Sequence, residues 1–159
     1  MEIKWIGAHR NNYGGQTDPR VIVLHTMAGS LGSCDNWFND PTAKVSSHYG
    51  VGLDGTIHQY VRLNQRAYSN GVLEADNRWP YPQNINPNFL SVSIETEGTN
   101  EPVTPNMFTS VQYLVNLIRR QFDIELLTSH HVISPHSKPN CCGTRWKEKI
   151  KLLGLPVLW

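Results

Sequence analysis

Arg20-Val21-Ile22-Val23-Leu24-His25 is the run from which the rest of this chain can be read. Its apolar residues follow one another without alternation and three are β-branched, the pattern of a strand covered on both faces. The strand ends on an imidazole and so delivers His25 to its C-terminal end. Farther on, Ser46 to Gly52 and Ile57 to Val61 flank an Asp54-Gly55 turn, which reads as a β-hairpin. Phe89 to Glu97 alternates after its first pair and closes in Glu95 and Glu97, two carboxylates on one strand face. Leu126 to His130 is a second short strand ending in histidine, and Pro135 and Pro139 force the next segment into an irregular loop. Thr104 and Pro105 open a helix carried by Phe108, Val111, Leu114, Val115, Leu117 and Ile118, and a short final helix is expected from about Thr144 to Leu153. Arg66 to Asn88 holds no period and many Asn, Pro and aromatic residues, so a long loop lining a groove is expected there. The resulting expectation is a single α/β domain over residues 1–159, with a central mixed β-sheet flanked by helices.

Composition narrows the function classes. A formal charge of +1, from 14 basic and 13 acidic residues, makes no field that would gather nucleic acid or an anionic membrane. No stretch approaches the roughly 20 apolar residues of a membrane span, and Met1-Glu2-Ile3-Lys4-Trp5 does not resemble a signal peptide, so cytoplasmic synthesis is expected. No repeat or linker sets off a second module, and a monomer is expected. The three cysteines, Cys34, Cys141 and Cys142, are an odd set with two adjacent members, which is no disulfide framework.

His25, His130 and either Cys141 or Cys142 lie at the ends of strand-like segments or in the loop after them. Two imidazoles and a thiolate suit zinc and leave a fourth position for water, the arrangement of a catalytic site at one edge of a sheet. A strand-end histidine taken alone is more often an ordinary polar residue, and the spacing contains no CxxC pattern. A cysteine hydrolase pairing one of these thiols with a histidine is the metal-free alternative.

Four blocks taken together resemble the type 2 N-acetylmuramoyl-L-alanine amidases. They are Val21-Ile22-Val23-Leu24-His25-Thr26; Ser46-Ser47-His48-Tyr49-Gly50-Val51-Gly52 with its hairpin turn; Ser93-Ile94-Glu95-Thr96-Glu97-Gly98; and Ser129-His130 through Cys141-Cys142-Gly143-Thr144-Arg145-Trp146. The resemblance implies that His25, His130 and Cys141 bind Zn2+, with Cys142 standing where the family's loop carries proline. It implies that Glu95 is the acid/base and Lys138 the oxyanion partner, with Glu97 a competitor for the first role and His131 a rival to His130. The substrate it implies is peptidoglycan, cut between N-acetylmuramic acid and L-alanine, by a phage lysin acting on the wall after release or by a cytosolic amidase recycling wall fragments.

His48, Tyr49 and Asn70 are the expected substrate contacts, His48 reading equally as a hydrogen-bonded structural residue, and Trp37 and Trp79 are either sugar-stacking or core residues. The chain departs from the family in two places. Ser47 stands where other branches place a tyrosine, which moves the burden of catalysis onto Glu95. Tyr68-Ser69-Asn70-Gly71 replaces an aromatic-His-Ala-Gly segment. Some relatives of this fold bind muropeptide and cut nothing; their usual mark is loss of the cysteine ligand, which this chain keeps.

Overall fold

The computed structural model describes residues 1–159. In chain order the strands and helices are β1 (Lys4–Trp5), β2 (Tyr13–Gln16), β3 (Val21–Thr26), α1 (Leu31–Asn39), β4 (Tyr49–Val51), β5 (Ile57–Gln59) and β6 (Gln65–Ala67). They continue as β7 (Ser91–Thr96), α2 (Pro105–Arg119), β8 (Leu126–Ser129), α3 (His130–Ile133) and β9 (Val157–Leu158). Seven strands form one mixed sheet in the order β1-β5-β4-β7-β3-β8-β9, in which only β4 and β5 are antiparallel. The strands β2 and β6 make a separate antiparallel ribbon.

The central strand is β3, and its unbroken apolar run is explained by cover on both faces. Ile22 and Leu24 join Val92 and Ile94 of β7 against α2, whose Met107, Val111, Leu114, Val115 and Ile118 are fully buried. Val21 and Val23 turn the other way, onto Trp79 of the long loop and Ile133 of α3. The α2 helix begins as expected: the Thr104 hydroxyl accepts from the Met107 amide at 3.1 Å and Pro105 occupies the first turn. In the hairpin turn Gly55 has a φ of +89° and a side chain there would meet Asn106 of α2 at 3.0 Å, so only glycine fits.

Two readings change. The expected helix from Thr144 to Leu153 is two separate 3-10 turns, Thr144–Trp146 and Ile150–Leu153, neither with a side-chain cap. Without caps so short a segment does not offset the cost of helix nucleation, although Trp146, Ile150 and Leu153 do point inward. The helix α1 has no helical signature, since its residues Leu-Gly-Ser-Cys-Asp-Asn-Trp-Phe-Asn are mostly poor helix formers. It is held by the Ser30 cap, which accepts from the Ser33 amide at 3.2 Å, and by burial of Leu31 and Phe38. No helix is long and apolar enough to cross a membrane.

Candidate metal centre

Strand register assembles the centre. Parallel pairing of β3 with β7 sets His25 opposite Glu95, and both project to the face away from α2 because their neighbours Leu24 and Ile94 project toward it. On the other side of β3, Leu24 pairs with Ser129, so the next residue, His130, comes beside His25 with ring centroids 4.5 Å apart. The loop after α3 then turns back on itself. Lys138 and Cys141 amides donate to the Ser134 and Lys138 carbonyls at 2.9 and 3.1 Å, and the His131 amide donates to the Cys141 carbonyl at 2.8 Å. That turn sets the Cys141 sulfur where the Thr26 amide donates to it at 3.3 Å.

One ligand atom from each of His25, His130 and Cys141 lies within 4.8 Å of the others, a set able to close on a single ion. The far ring nitrogens are occupied: His25 Nε2 is 3.1 Å from Asn70 Oδ1 and His130 Nε2 is 3.1 Å from the Asn70 carbonyl oxygen. This leaves the two Nδ1 atoms for an ion. Burial, and then the neighbouring His130, holds the His25 pKa well below its usual value, and burial takes His130 down to about 4. Both rings are therefore neutral at pH 7, as metal ligands must be. Burial pushes the Cys141 thiol up to about 12, with the Glu95 charge adding to the rise. A cation among these groups would reverse that preference.

Glu95 stands over the same space. Its Oε1 is 3.9 Å from His25 Nδ1, its Oε2 is buried with no hydrogen-bond partner, and burial raises its pKa to about 7 while the Lys138 charge opposes the rise. Lys138 and Glu95 both line a cleft of about 640 Å³ with the three candidate ligands at its floor. The half-exposed Trp37 of α1 and Tyr68 form part of its wall.

The other residues singled out in the sequence are placed as follows. His48 is not at the cleft: its Nδ1 accepts from the Ser93 amide at 3.1 Å, its Nε2 faces the Gln65 carbonyl at 2.9 Å, and it is buried with both nitrogens used. Tyr49 packs in the main core on the α2 side of the sheet, because adjacent strand residues face opposite ways. Asn70 lines the cleft floor but is wholly buried, with its polar atoms engaged by His25, His130 and Ser91. Glu97 is committed to structure, accepting from the Leu31 and Leu53 amides at 3.3 and 3.0 Å. His131 turns to the Trp159 ring, His136 is exposed beside Asp76, Trp79 is core, and Cys142 is buried in the main core while Cys141 faces the cleft. The sequence reading missed Asn88, whose Oδ1 accepts from the Asn70 amide at 2.9 Å and pins the loop under the histidines. A local signal for it existed in Asn86-Pro87-Asn88 at the entry to β7.

The family described as N-acetylmuramoyl-L-alanine amidase matches residues 15–146. The chain belongs to that family. Among its relatives, N-acetylmuramoyl-L-alanine amidase A of Achromobacter lyticus is 31% identical over 99 residues, covering 61% of this chain and 48% of that protein. The 1,6-anhydro-N-acetylmuramyl-L-alanine amidase AmpD of Haemophilus influenzae is 33% identical over 99 residues, covering 60% and 50%. The chain thus spans about half the length of the curated relatives it matches. Among solved structures, an AmpD selenomethionine derivative superposes with a TM-score of 0.80 at 23% identity, covering 96% of this chain and 94% of that one. The amidase LysC of Clostridium intestinale superposes with a TM-score of 0.68 at 17% identity, covering 98% and 99%. These superpositions place the chain in the amidase fold.

Proposed function

We propose that this chain hydrolyses the amide between N-acetylmuramic acid and L-alanine of peptidoglycan, using a zinc ion held by His25, His130 and Cys141. The observation that carries this reading is the meeting, at one cleft floor, of two neutral imidazoles, a thiol and a carboxylate oxygen with no partner. Two nitrogens and a sulfur are a donor set zinc prefers, so the residues present fit the metal. Bound there, zinc would polarise the scissile carbonyl and lower the pKa of a water molecule toward neutrality.

The protein's own residues supply the remaining steps. Glu95, with a pKa of about 7, is poised both to accept a proton from the attacking water and to return it to the departing nitrogen. The Lys138 ammonium faces the same space and offsets negative charge as it develops on the carbonyl oxygen. The cleft wall gives sugar and peptide surfaces to lie on, Trp37 being placed to stack on a ring. A solved relative, AmiD from E. coli, holds anhydro-N-acetylmuramic acid-L-Ala-D-gamma-Glu-L-Lys, the kind of ligand this cleft would take.

The thiol alternative is weaker on electrostatic grounds. Burial holds Cys141 protonated and its neighbouring imidazoles uncharged, so no thiolate–imidazolium pair forms. We assign the activity to wall polymer, in the manner of a lysin released onto the wall. The similarity to a 1,6-anhydro-N-acetylmuramyl-L-alanine amidase favours a second setting, in which soluble fragments are the substrate.

Digestion of purified peptidoglycan and of soluble anhydromuropeptide, with mass analysis, tests all of this. Stem peptides with a free N-terminal L-alanine are expected, and the polymer should be cut at least as fast as the fragment. Shortened glycan strands would overturn the amidase assignment, faster fragment turnover would move the setting to recycling, and activity surviving chelation would remove the metal.

A further inference from the structure

The residue beneath both candidate ligands is Asn70. Its surroundings fix the direction of every hydrogen bond. The Pro87 carbonyl can only accept, so the Ser91 hydroxyl spends its proton there at 2.9 Å. Ser91 Oγ then has only lone pairs for Asn70, which obliges Asn70 to present its amide nitrogen to Ser91, at 2.7 Å. The other end of the side chain, Oδ1, is thereby aimed at His25 Nε2 at 3.1 Å, and an acceptor there requires the proton to sit on Nε2. The second histidine obeys the same logic: His130 Nε2 meets the Asn70 main-chain oxygen at 3.1 Å, and that oxygen also only accepts. In turn the Asn88 side chain holds the Asn70 backbone in place through its amide at 2.9 Å.

We infer that Asn70 is a positioning residue that sets both imidazoles in the Nε2–H tautomer, His25 through its side chain and His130 through its backbone, so that both Nδ1 lone pairs face the cleft. The polarity originates at two carbonyl groups that cannot reverse. Partners of this kind on a ligating histidine typically change metal affinity by about 10–100-fold. The metal half of the inference rests on the proposed zinc site, whereas the tautomer half stands without it.

The test uses the full chain stripped of metal, with ring-15N chemical shifts of its histidines and then zinc affinity by chelator competition. Wild-type protein should show His25 and His130 protonated at Nε2. Asn70→Ala should scramble His25 while leaving His130, held by the backbone, in place, and should weaken zinc about 10–100-fold. Should the alanine variant misfold, Ser91→Ala frees the amide to flip and should produce partial scrambling by itself. A His25 tautomer unchanged in folded Asn70→Ala, or Nδ1–H in the wild type, overturns the inference. A wild type with the expected tautomers that binds no zinc would instead overturn the zinc proposal and leave the positioning role standing.

Discussion

Replacing Glu95 by glutamine should make the metal-free protein more stable and the enzyme nearly inactive. The carboxyl is held in a site where one of its oxygens has no partner, and burial raises its pKa from 4.5 to about 7. Below pH 4.5 the carboxyl is protonated in the folded and unfolded chain alike, and the substitution should change little. Between pH 4.5 and 7 the unfolded chain ionises first, so wild-type stability falls as pH rises through that window. Above pH 7 the difference levels off at about 3–4 kcal/mol, taking roughly 1.4 kcal/mol for each pH unit between the two values. Glutamine cannot ionise and escapes the whole loss, so urea unfolding of chelated protein at about pH 5 and about pH 8 should show its advantage grow with pH. In activity the same change removes a proton carrier, which is expected to lower kcat by about 10²–10⁴-fold, or about 3–5 kcal/mol of transition-state stabilisation. Zinc content should be unchanged. A stability difference that stays flat with pH, or a variant within tenfold of wild-type rate, would refute the assignment of Glu95.

Other expectations are narrower. Cys141→Ser should abolish the rise in Tm on adding zinc, a rise worth about 2.7 kcal/mol at a zinc concentration a hundred times Kd, whereas Cys142→Ser should keep the zinc response and lose about 1–3 kcal/mol by burying a hydroxyl in the core. Lys138→Met should lower kcat by roughly 10²–10³-fold with zinc affinity nearly unaltered, as stopped assays on peptidoglycan would show. His48 is buried with its pKa lowered to about 4, so its contribution is complete above 6.5 and is lost as pH falls toward 4. A His48→Gln variant should therefore show a shallower acid limb in denaturant midpoint against pH, whatever its stability at neutral pH.

The long-range pattern of the sheet was legible because β3 and β7 carry their burial in their own composition: unbroken apolar residues in one, strict alternation in the other. Thr104-Pro105 and Asp54-Gly55 were legible for the same local reason, since capping and turn geometry depend on residues a few positions apart. The helix α1 and the short edge strands β1 and β9 were not, because two buried side chains or two ladder pairs leave no period to detect. The role of His48 stayed open for a related reason: a histidine next to a hairpin strand reads the same whether its nitrogens meet substrate or the Gln65 carbonyl and the Ser93 amide.

Taken by itself, the order of residues determined which side chains were chemically able to form a zinc site and which strands would bring them near the sheet's C-terminal edge. Tertiary structure decided the rest. Only the registers of β7 and β8 against β3 put Glu95 and His130 on either side of His25. Only the return of the loop behind α3 separated Cys141, in the cleft, from Cys142, in the core, and only the packing of the long loop slid Asn70 beneath both imidazoles. The physical reason is one of range: strand propensity and capping act between neighbours in the chain, whereas the aim of a buried polar group depends on which distant donor or acceptor completes its hydrogen bonds.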